Sequence, residues 1–253
     1  METQKHIQNV KEEETMEISK ARYKNTVEFQ VSGDYALFSD PVTRVGGEKS
    51  SYMIPTYEAL KGILQSVFWK PTIKWIIDEV RIMKPIRMEA KAIRPIKMEG
   101  GNDLAYYTYL HDVVYQVRAH FEQNTNRPEF DHDWNEKKYY CMAQRMIKRG
   151  GRRDIFLGTR ECQGYVEPCV YGSGEGYYDH VHAMNFGFSY HGITYADEAV
   201  LQEDKGKMTV RFWTPVMKKG MIQFCRPEEC PTKRHIRAME MKKFPDKSRE
   251  LKI

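Results

Sequence analysis

Two amphipathic helices, each set between strand-like runs, constrain the fold of this 253-residue chain more than any other feature. The first begins at Pro55 and ends before Lys70-Pro71, because proline disfavours helix in the residue that precedes it. The second runs from about Asn135 to Arg149, and Gly150 lies where a C-terminal cap belongs. Both carry apolar residues at helical spacing, namely Leu60, Ile63, Leu64, Val67 and Phe68 in the first and Tyr139, Met142, Ala143, Met146 and Ile147 in the second.

Four strand-like runs surround these helices. Residues 26–32 alternate between apolar and polar side chains, as a half-buried strand does, and residues 72–83 are rich in isoleucine, valine and tryptophan. Residues 108–121 and 154–162 supply the third and fourth strands. The order strand, helix, strand, strand, helix, strand predicts an α+β chain with a ferredoxin-like (RRM-like) βαββαβ domain over residues 25–163. Many RNA-recognition modules share that order.

The rest of the chain is predicted to form three further parts. Residues 84–107 are too long for a tight hairpin and include Gly100-Gly101, so we expect a protruding β-arm. Residues 1–24 show almost no apolar periodicity and are expected to be a flexible extension outside the fold. Residues 164–253 contain strand-like runs at 208–213 and 221–224, which predict a small β-rich domain with a basic C-terminal tail.

Composition and motifs exclude several classes of protein. Hydrophobic residues make up 41% of the chain and charged residues 30%, as in an ordinary globular domain. No apolar run approaches the ~20 residues of a membrane span, so we expect a cytoplasmic protein without a membrane partner. The sequence also lacks Walker, HExxH and GxSxG motifs. We therefore predict neither a cofactor nor a nucleotide site.

The five cysteines are predicted to be reduced structural thiols. They include no Cys-x-x-Cys pair, and the spacings of Cys162 to Cys169 and of Cys225 to Cys230 differ from those of the usual zinc knuckles. His180 and His182 lie two residues apart, but no nearby acidic pair completes a metal site. The sequence therefore predicts no metal centre.

The positive charge of the chain is clustered. The formal net charge is +5, and basic residues dominate residues 81–97, 145–153 and 233–252. A solvated charged face explains any single run equally well. Three runs on one modest chain, interleaved with tyrosines that can stack on unpaired bases, favour binding to a nucleic-acid backbone. The segment 150–164 adds glycines, which allow close backbone approach, and arginines, whose planar guanidinium groups match phosphate.

Five sequence blocks resemble one known family. They read GDYALFSDP at 33–41, GGEKSSY at 46–52, PTYEALKGI at 55–63, FWKPT at 68–72 and GGRRDIFLGTREC at 150–162. In this order they resemble the CRISPR-associated Cas-five family, subtype I-C (Dvulg), of the RAMP superfamily, over about residues 26–231. The resemblance implies a ferredoxin-like domain plus a small β-sheet domain. It also implies metal-independent cleavage of the CRISPR precursor transcript beside the repeat hairpin. The protein would then stay on the 5′ handle of the guide RNA, among the backbone and large subunits of the Cascade surveillance complex.

The family's catalytic pattern is only partly present. It consists of a tyrosine at the end of the first helix and an adjacent Lys-His pair near the start of the second, positions that Phe68, Lys138 and Tyr139 occupy here. Phe68 has no hydroxyl and is not expected to be catalytic. Lys138 is suited to stabilising charge on the phosphate. Tyr139, with a reference pKa of about 10 against about 6.5 for histidine, is a poor base but can donate a hydrogen bond or act as a general acid.

These observations leave alternatives open. The chain is predicted either to process CRISPR RNA or to be a non-catalytic subunit that caps the 5′ handle; a duplex-DNA-binding module using the same basic surfaces is a third hypothesis. Core packing is the competing interpretation of Phe68 and Tyr139, which lie on the apolar stripes. The predicted catalytic residues are Lys138 and Tyr139, and the predicted RNA contacts are Arg44, Lys49, Lys148, Arg149, Arg152, Arg153 and Arg160.

Overall fold

Twelve strands and three α-helices make up the regular structure of the computed structural model, which describes residues 25–241 and residue 243. The predicted extension at 1–24 and the end of the predicted basic tail lie outside the described residues. The strands are β1 (Val27–Ala36), β2 (Ile73–Ile82), β3 (Met88–Ile93), β4 (Ala105–Gln123), β5 (Ile155–Phe156), β6 (Gln163–Pro168), β7 (Met184–Asn185), β8 (Ser189–Thr194), β9 (Lys207–Trp213), β10 (Val216–Lys218), β11 (Met221–Gln223) and β12 (Thr232–Ala238). The α-helices are α1 (Pro41–Arg44), α2 (Tyr57–Val67) and α3 (Glu136–Lys148).

The strands form two antiparallel sheets. The larger sheet has the order β5-β6-β1-β4-β2-β11-β10-β7, and β3 pairs with the first part of β4. At its centre Val31 of β1 lies opposite Tyr115 of β4 on one side and Val166 of β6 on the other. The smaller sheet has the order β12-β9-β8. The predicted α+β class is therefore confirmed as a mixed fold with few helices and mostly antiparallel strands.

The two long helices form where the sequence predicted them, and polar caps set their ends. The Thr56 side chain accepts a hydrogen bond from the Ala59 amide at the start of α2, and Phe68 ends that helix in an extended conformation. The Asn135 side chain caps α3 in the same way. Helix α2 packs against β2 and β5, whereas α3 packs against β1 and β6, and the two helices contact each other. Their apolar stripes and the inward side chains of the sheet make one buried core.

The fourth predicted strand, residues 154–162, is much shorter in the structure than the sequence predicts. Within residues 154–162 only Ile155–Phe156 is extended, because the chain turns at Gly158, whose φ is 95°. A Cβ at Gly158 would lie 2.1 Å from the Leu37 carbonyl oxygen, so only glycine permits this close approach. The strand that pairs with β1 is instead β6, which comes after the turn.

The C-terminal part of the chain contributes to both sheets. The predicted strand runs at 208–213 and 221–224 are present as β9 and β11. They lie in different sheets, since β11 pairs with β2 and β9 pairs with β8 and β12. Residues Met88–Ile93 and the start of β4 form a hairpin where the β-arm was expected, and most of the β3 side chains are exposed. Among the described residues, no helix is long and apolar enough to cross a membrane.

Candidate functional site

The three family positions lie together where α2 ends and α3 begins. Phe68 and Tyr139 are buried, and their ring centroids are 6.1 Å apart. The Trp75 indole N–H donates to the Phe68 carbonyl oxygen at 2.8 Å and so fixes the end of α2. Lys138 points toward solvent, with half of its side chain exposed. The structure thus places a phenyl ring and a phenol in the core and leaves the ammonium group accessible.

The Tyr139 hydroxyl is fully engaged within the protein. It accepts a hydrogen bond from Thr72 Oγ1 at 2.9 Å. It lies 2.7 Å from the Asp133 carbonyl oxygen and 2.9 Å from Asp133 Oδ2, to which it donates. Burial and the Asp133 carboxylate raise the pKa of Tyr139 above its usual value. The phenol therefore stays protonated near neutral pH and cannot serve as a base.

Asp133 joins the tyrosine to two lysines. Its carboxylate lies 2.9 Å from Lys70 Nζ and 3.2 Å from Lys138 Nζ. The hydrogen bond from Lys70, followed by that from Tyr139, holds the pKa of Asp133 well below its usual range. We call Lys70, Asp133 and Lys138 the lysine–aspartate cluster. It carries two positive charges and one negative, so a net positive charge faces solvent beside the end of α2.

The sequence does not predict Lys70 or Asp133 as site residues. The available signal is the acidic pair Asp131 and Asp133, which lies just before the Asn135 cap of α3. In the sequence, Lys70 marks only the end of a helix before Pro71. Long-range pairing of the two residues, 63 positions apart, is visible only in the fold.

The Gly150-Gly151 turn brings two arginines to the end of α2. The backbone N–H of Arg152 donates to the Val67 carbonyl oxygen at 3.2 Å, and that of Arg153 donates to the Ser66 carbonyl oxygen at 3.1 Å. These bonds satisfy carbonyl groups that a helix C-terminus leaves without partners. Both arginine side chains are exposed. We call the exposed residues at this end the C-terminal group, and they are Lys148, Arg149, Arg152 and Arg153.

The remaining predicted contacts lie at the other end of α2. Arg44 and Lys49 line an open cavity of about 280 Å³ together with Thr56 of the α2 N-cap and the Gly158-Thr159 turn. Arg160 follows that turn, and its guanidinium group lies 6.0 Å from the Phe156 ring centroid. We call Arg44, Lys49 and Arg160 the N-terminal group. The seven predicted RNA contacts therefore divide into two groups near opposite ends of α2, which is about 16 Å long at the rise of an α-helix.

Not all of the clustered positive charge is accessible. Arg81, the first residue of one basic run, is only 5% exposed and lies 2.7 Å from Asp179 Oδ2. Its guanidinium group also donates to the Ser173 and Gly174 carbonyl oxygens. This arginine holds a loop against β2. By contrast, the basic strand β12 is exposed along its whole length.

The chain is similar to known proteins of one family. The family model Cas_Cas5d, described as CRISPR-associated protein (Cas_Cas5), matches residues 26–225. The chain is 42% identical over 169 residues to the "CRISPR pre-crRNA endoribonuclease Cas5d" of Mannheimia succiniciproducens, a match that covers 58% of this chain and 68% of that protein. It is 28% identical over 149 residues to the Thermus thermophilus protein of the same name, covering 55% of this chain and 62% of that protein.

Two solved structures are similar over most of their length. One is described as "Crystal Structure of CRISPR-associated Protein", with a TM-score of 0.67 and 32% identity. The other is a functionally uncharacterised protein from Streptococcus mutans, with a TM-score of 0.67 and 33% identity. Each match covers 83% of this chain and 96% of the other chain.

The fold and these matches define a CRISPR-associated protein. Because the family model spans most of the chain, the protein belongs to the Cas5d family. The resemblance predicted from the five sequence blocks is thereby confirmed.

Proposed function

We propose that this protein binds precursor CRISPR RNA and cleaves it beside the repeat hairpin without a metal ion. The observation that carries the proposal is the exposed positive charge around the end of α2, which comes from Lys138 of the lysine–aspartate cluster and from Arg152 and Arg153, whose backbone N–H groups bond the last carbonyl groups of that helix. Relatives with the same family match are named pre-crRNA endoribonucleases. Guanidinium and ammonium groups so placed suit an RNA backbone.

In the proposed reaction the ribose 2′-hydroxyl loses its proton to solvent and attacks the adjacent phosphorus. The bond to the 5′-oxygen breaks, this oxygen takes up a proton from solvent, and the products are a 2′,3′-cyclic phosphate and a 5′-hydroxyl. Lys138 exchanges its contact with Asp133 for the phosphate and stabilises the charge that develops there. Tyr139 is assigned a positioning role, because its buried hydroxyl is already bonded to Thr72 and Asp133. Phe68 has no part in proton transfer.

We assign the protein to type I-C Cascade, where it remains on the 5′ handle beside the backbone and large subunits. We also propose the predicted ferredoxin-like core over residues 25–163. The strand order β6-β1-β4-β2, with α2 and α3 as connections, supports it, and including β6 would extend the core to residue 168. The hairpin that contains β3 is the proposed arm, and β8, β9 and β12 are the proposed small β-sheet domain.

A non-catalytic subunit that caps the 5′ handle is the second candidate. Two observations favour it. Phe68 occupies the position of the family tyrosine but has no hydroxyl, and the Tyr139 hydroxyl is held by Thr72 and Asp133. Both candidates use the same basic surfaces. Duplex DNA is a further possible partner of those surfaces, and competition between repeat RNA and duplex DNA would measure the preference.

Incubating the purified protein with a repeat hairpin RNA in the presence of EDTA distinguishes the two candidates. The endoribonuclease proposal predicts a product ending in a 2′,3′-cyclic phosphate. It also predicts that Lys138→Ala slows cleavage by about 100-fold with binding retained. The matched control is Lys137→Ala, because Lys137 is exposed on the same turn of α3. Tight binding without any product would instead identify the capping subunit.

A further inference from the structure

Three potential metal ligands meet in the core, far apart in sequence. His191 of β8 faces Cys225 and Cys230, which flank the short 3-10 helix Pro227–Glu229. One ring nitrogen of His191 and the two Sγ atoms all lie within 4.8 Å of one another. The two sulfur atoms are 3.6 Å apart. His191 is completely buried, and Cys230 is 7% exposed.

The two ring nitrogens of His191 differ in their surroundings. Its Nε2 atom lies 3.0 Å from the Cys225 carbonyl oxygen, a distance at which an Nε2–H group donates a hydrogen bond. Its Nδ1 atom is buried and has no hydrogen-bond partner. A buried polar atom without a partner costs stability. Metal-bound histidines commonly donate the second ring N–H to a backbone carbonyl, which leaves the other nitrogen for the ion.

We propose that His191, Cys225 and Cys230 bind one zinc ion, with water at the fourth position. Zinc–sulfur bonds of about 2.3 Å in a tetrahedral site place two sulfurs about 3.8 Å apart, close to the distance seen here. A disulfide requires about 2.05 Å. The four residues between Cys225 and Cys230 are at the upper limit of the spacing of known zinc ligands. The sequence predicts no metal centre because the cysteine spacings differ from those of the usual zinc knuckles, and this proposal replaces that prediction.

The charges around the site are compatible with the ion. Two thiolates neutralise a divalent cation, so little net charge is buried. The nearby buried Arg211 is already paired with the Asp204 carboxylate at 2.5 Å. Its positive charge is therefore compensated within the protein.

The proposed ion would join the two sheets. His191 belongs to the smaller sheet, whereas Cys225 follows β11 of the larger sheet and Cys230 precedes β12. The His191 ring also stacks on Tyr57 of α2, with ring centroids 4.4 Å apart. A zinc ion would thus join β8 to the β11–β12 connection. This role does not depend on RNA cleavage.

Metal analysis of the full, untagged chain tests the proposal. The protein is purified under reducing conditions, loaded with Zn²⁺, desalted and analysed by mass spectrometry for metals. We expect about one zinc ion per chain. Loading with Co²⁺ should give a thiolate-to-cobalt absorption band. The proposal would be overturned if the loaded wild-type protein contained no zinc. It would also be overturned if two of the five cysteines were found to form a disulfide.

Variants locate the ion. Cys225→Ser and Cys230→Ser should each lose the bound zinc and the cobalt band, while Cys141→Ser, a change at an exposed cysteine, should keep both. Retention of zinc by the Cys225→Ser protein would refute the site. Removing zinc from the wild-type protein with a chelator should lower Tm by several degrees, and Zn²⁺ should restore it. The same chelator should leave the Tm of Cys225→Ser unchanged; an equal drop in both proteins would count against the site.

Discussion

At the scale of single residues, the hydrogen bonds of the Tyr139 hydroxyl indicate the role of this residue more clearly than its position in the family pattern does. Replacing Tyr139 by phenylalanine removes the donor to Asp133 and the acceptor of the Thr72 hydroxyl. Buried groups left without partners cost about 1–3 kcal/mol, so we expect a loss of unfolding free energy of that size. Urea denaturation measures it, and the neighbouring half-buried Tyr140→Phe is the control. Equal losses in both variants would argue against a special role for the Tyr139 hydroxyl.

A second residue-scale feature makes stability depend on pH. His120 is buried, with Nδ1 2.9 Å from Asp78 and Nε2 3.5 Å from Glu122. Burial lowers the pKa of His120, but the hydrogen bonds to Asp78 and Glu122 outweigh it, so the pKa is raised overall. A raised pKa in the folded state gives stability that is complete below the unfolded value of about 6.5. That stability is lost as the pH rises through the folded pKa.

We therefore predict that the unfolding free energy of the wild-type protein falls as the pH rises above about 6.5. A difference of one between the folded-state and unfolded-state pKa of His120 corresponds to about 1.4 kcal/mol of unfolding free energy. Urea denaturation at a series of pH values should give a flatter profile for His120→Asn. His182→Asn, a change at an exposed histidine, should follow the wild type. Identical profiles for His120→Asn and the wild type would contradict this account.

At the scale of elements, the turn between β5 and β6 depends on one glycine. A methyl group at Gly158 would collide with the Leu37 backbone, where β1 leads toward α1. Gly158→Ala should therefore cost about 3 kcal/mol or more and displace Arg160. Gly172 is the control, because it also has a positive φ, 84°, but nothing lies within 4 Å of a Cβ there. Gly172→Ala should cost only about 1–2 kcal/mol, and similar losses by thermal melting would refute the steric argument.

The same turn explains how far the sequence could predict the elements. Strong periodicity located α2, α3, β1, β2 and β4 to within a few residues. Strand β6 was missed because its inward positions are Gly164 and Val166, which give too weak an alternation to mark a strand. The buried Ile155 and Leu157 suggested a strand where the chain in fact turns.

The candidate site was less predictable than the fold. Family positions could be found residue by residue, so Phe68, Lys138 and Tyr139 were identified. Their partners Lys70, Thr72 and Asp133 depend on how α2, β2 and α3 pack. His191 and Cys225 meet only because β8 and the end of β11 are neighbours in space. Pairings of this kind carry no local signal.

At the scale of the whole molecule, the two basic groups predict how RNA affinity responds to salt. Replacing Arg152 and Arg153 by alanine, or Arg44 and Lys49, should reduce the slope of log affinity against log salt by about 1.4–1.8 in each case. The groups are separated by the length of α2, so the two losses should add in the combined variant.

Filter binding of repeat RNA at several salt concentrations would measure these slopes. Lys218 and Lys219, exposed at the turn between β10 and β11 and in neither group, provide the control double variant. An unchanged slope for either pair would remove that pair from the RNA contact surface. If the slope decreased for only one of the two pairs, the RNA would lie at that end of α2 only.

The central place of β1 has a consequence for synthesis of the chain. Both neighbours of β1 lie later in the sequence: β4 ends at Gln123 and β6 at Pro168. While the ribosome adds about 5–20 residues each second, β1 remains an unpaired edge for several seconds. Among the described strands, β1 thus waits longest for its first partner, and the newly made chain is most prone to aggregate before β4 is made.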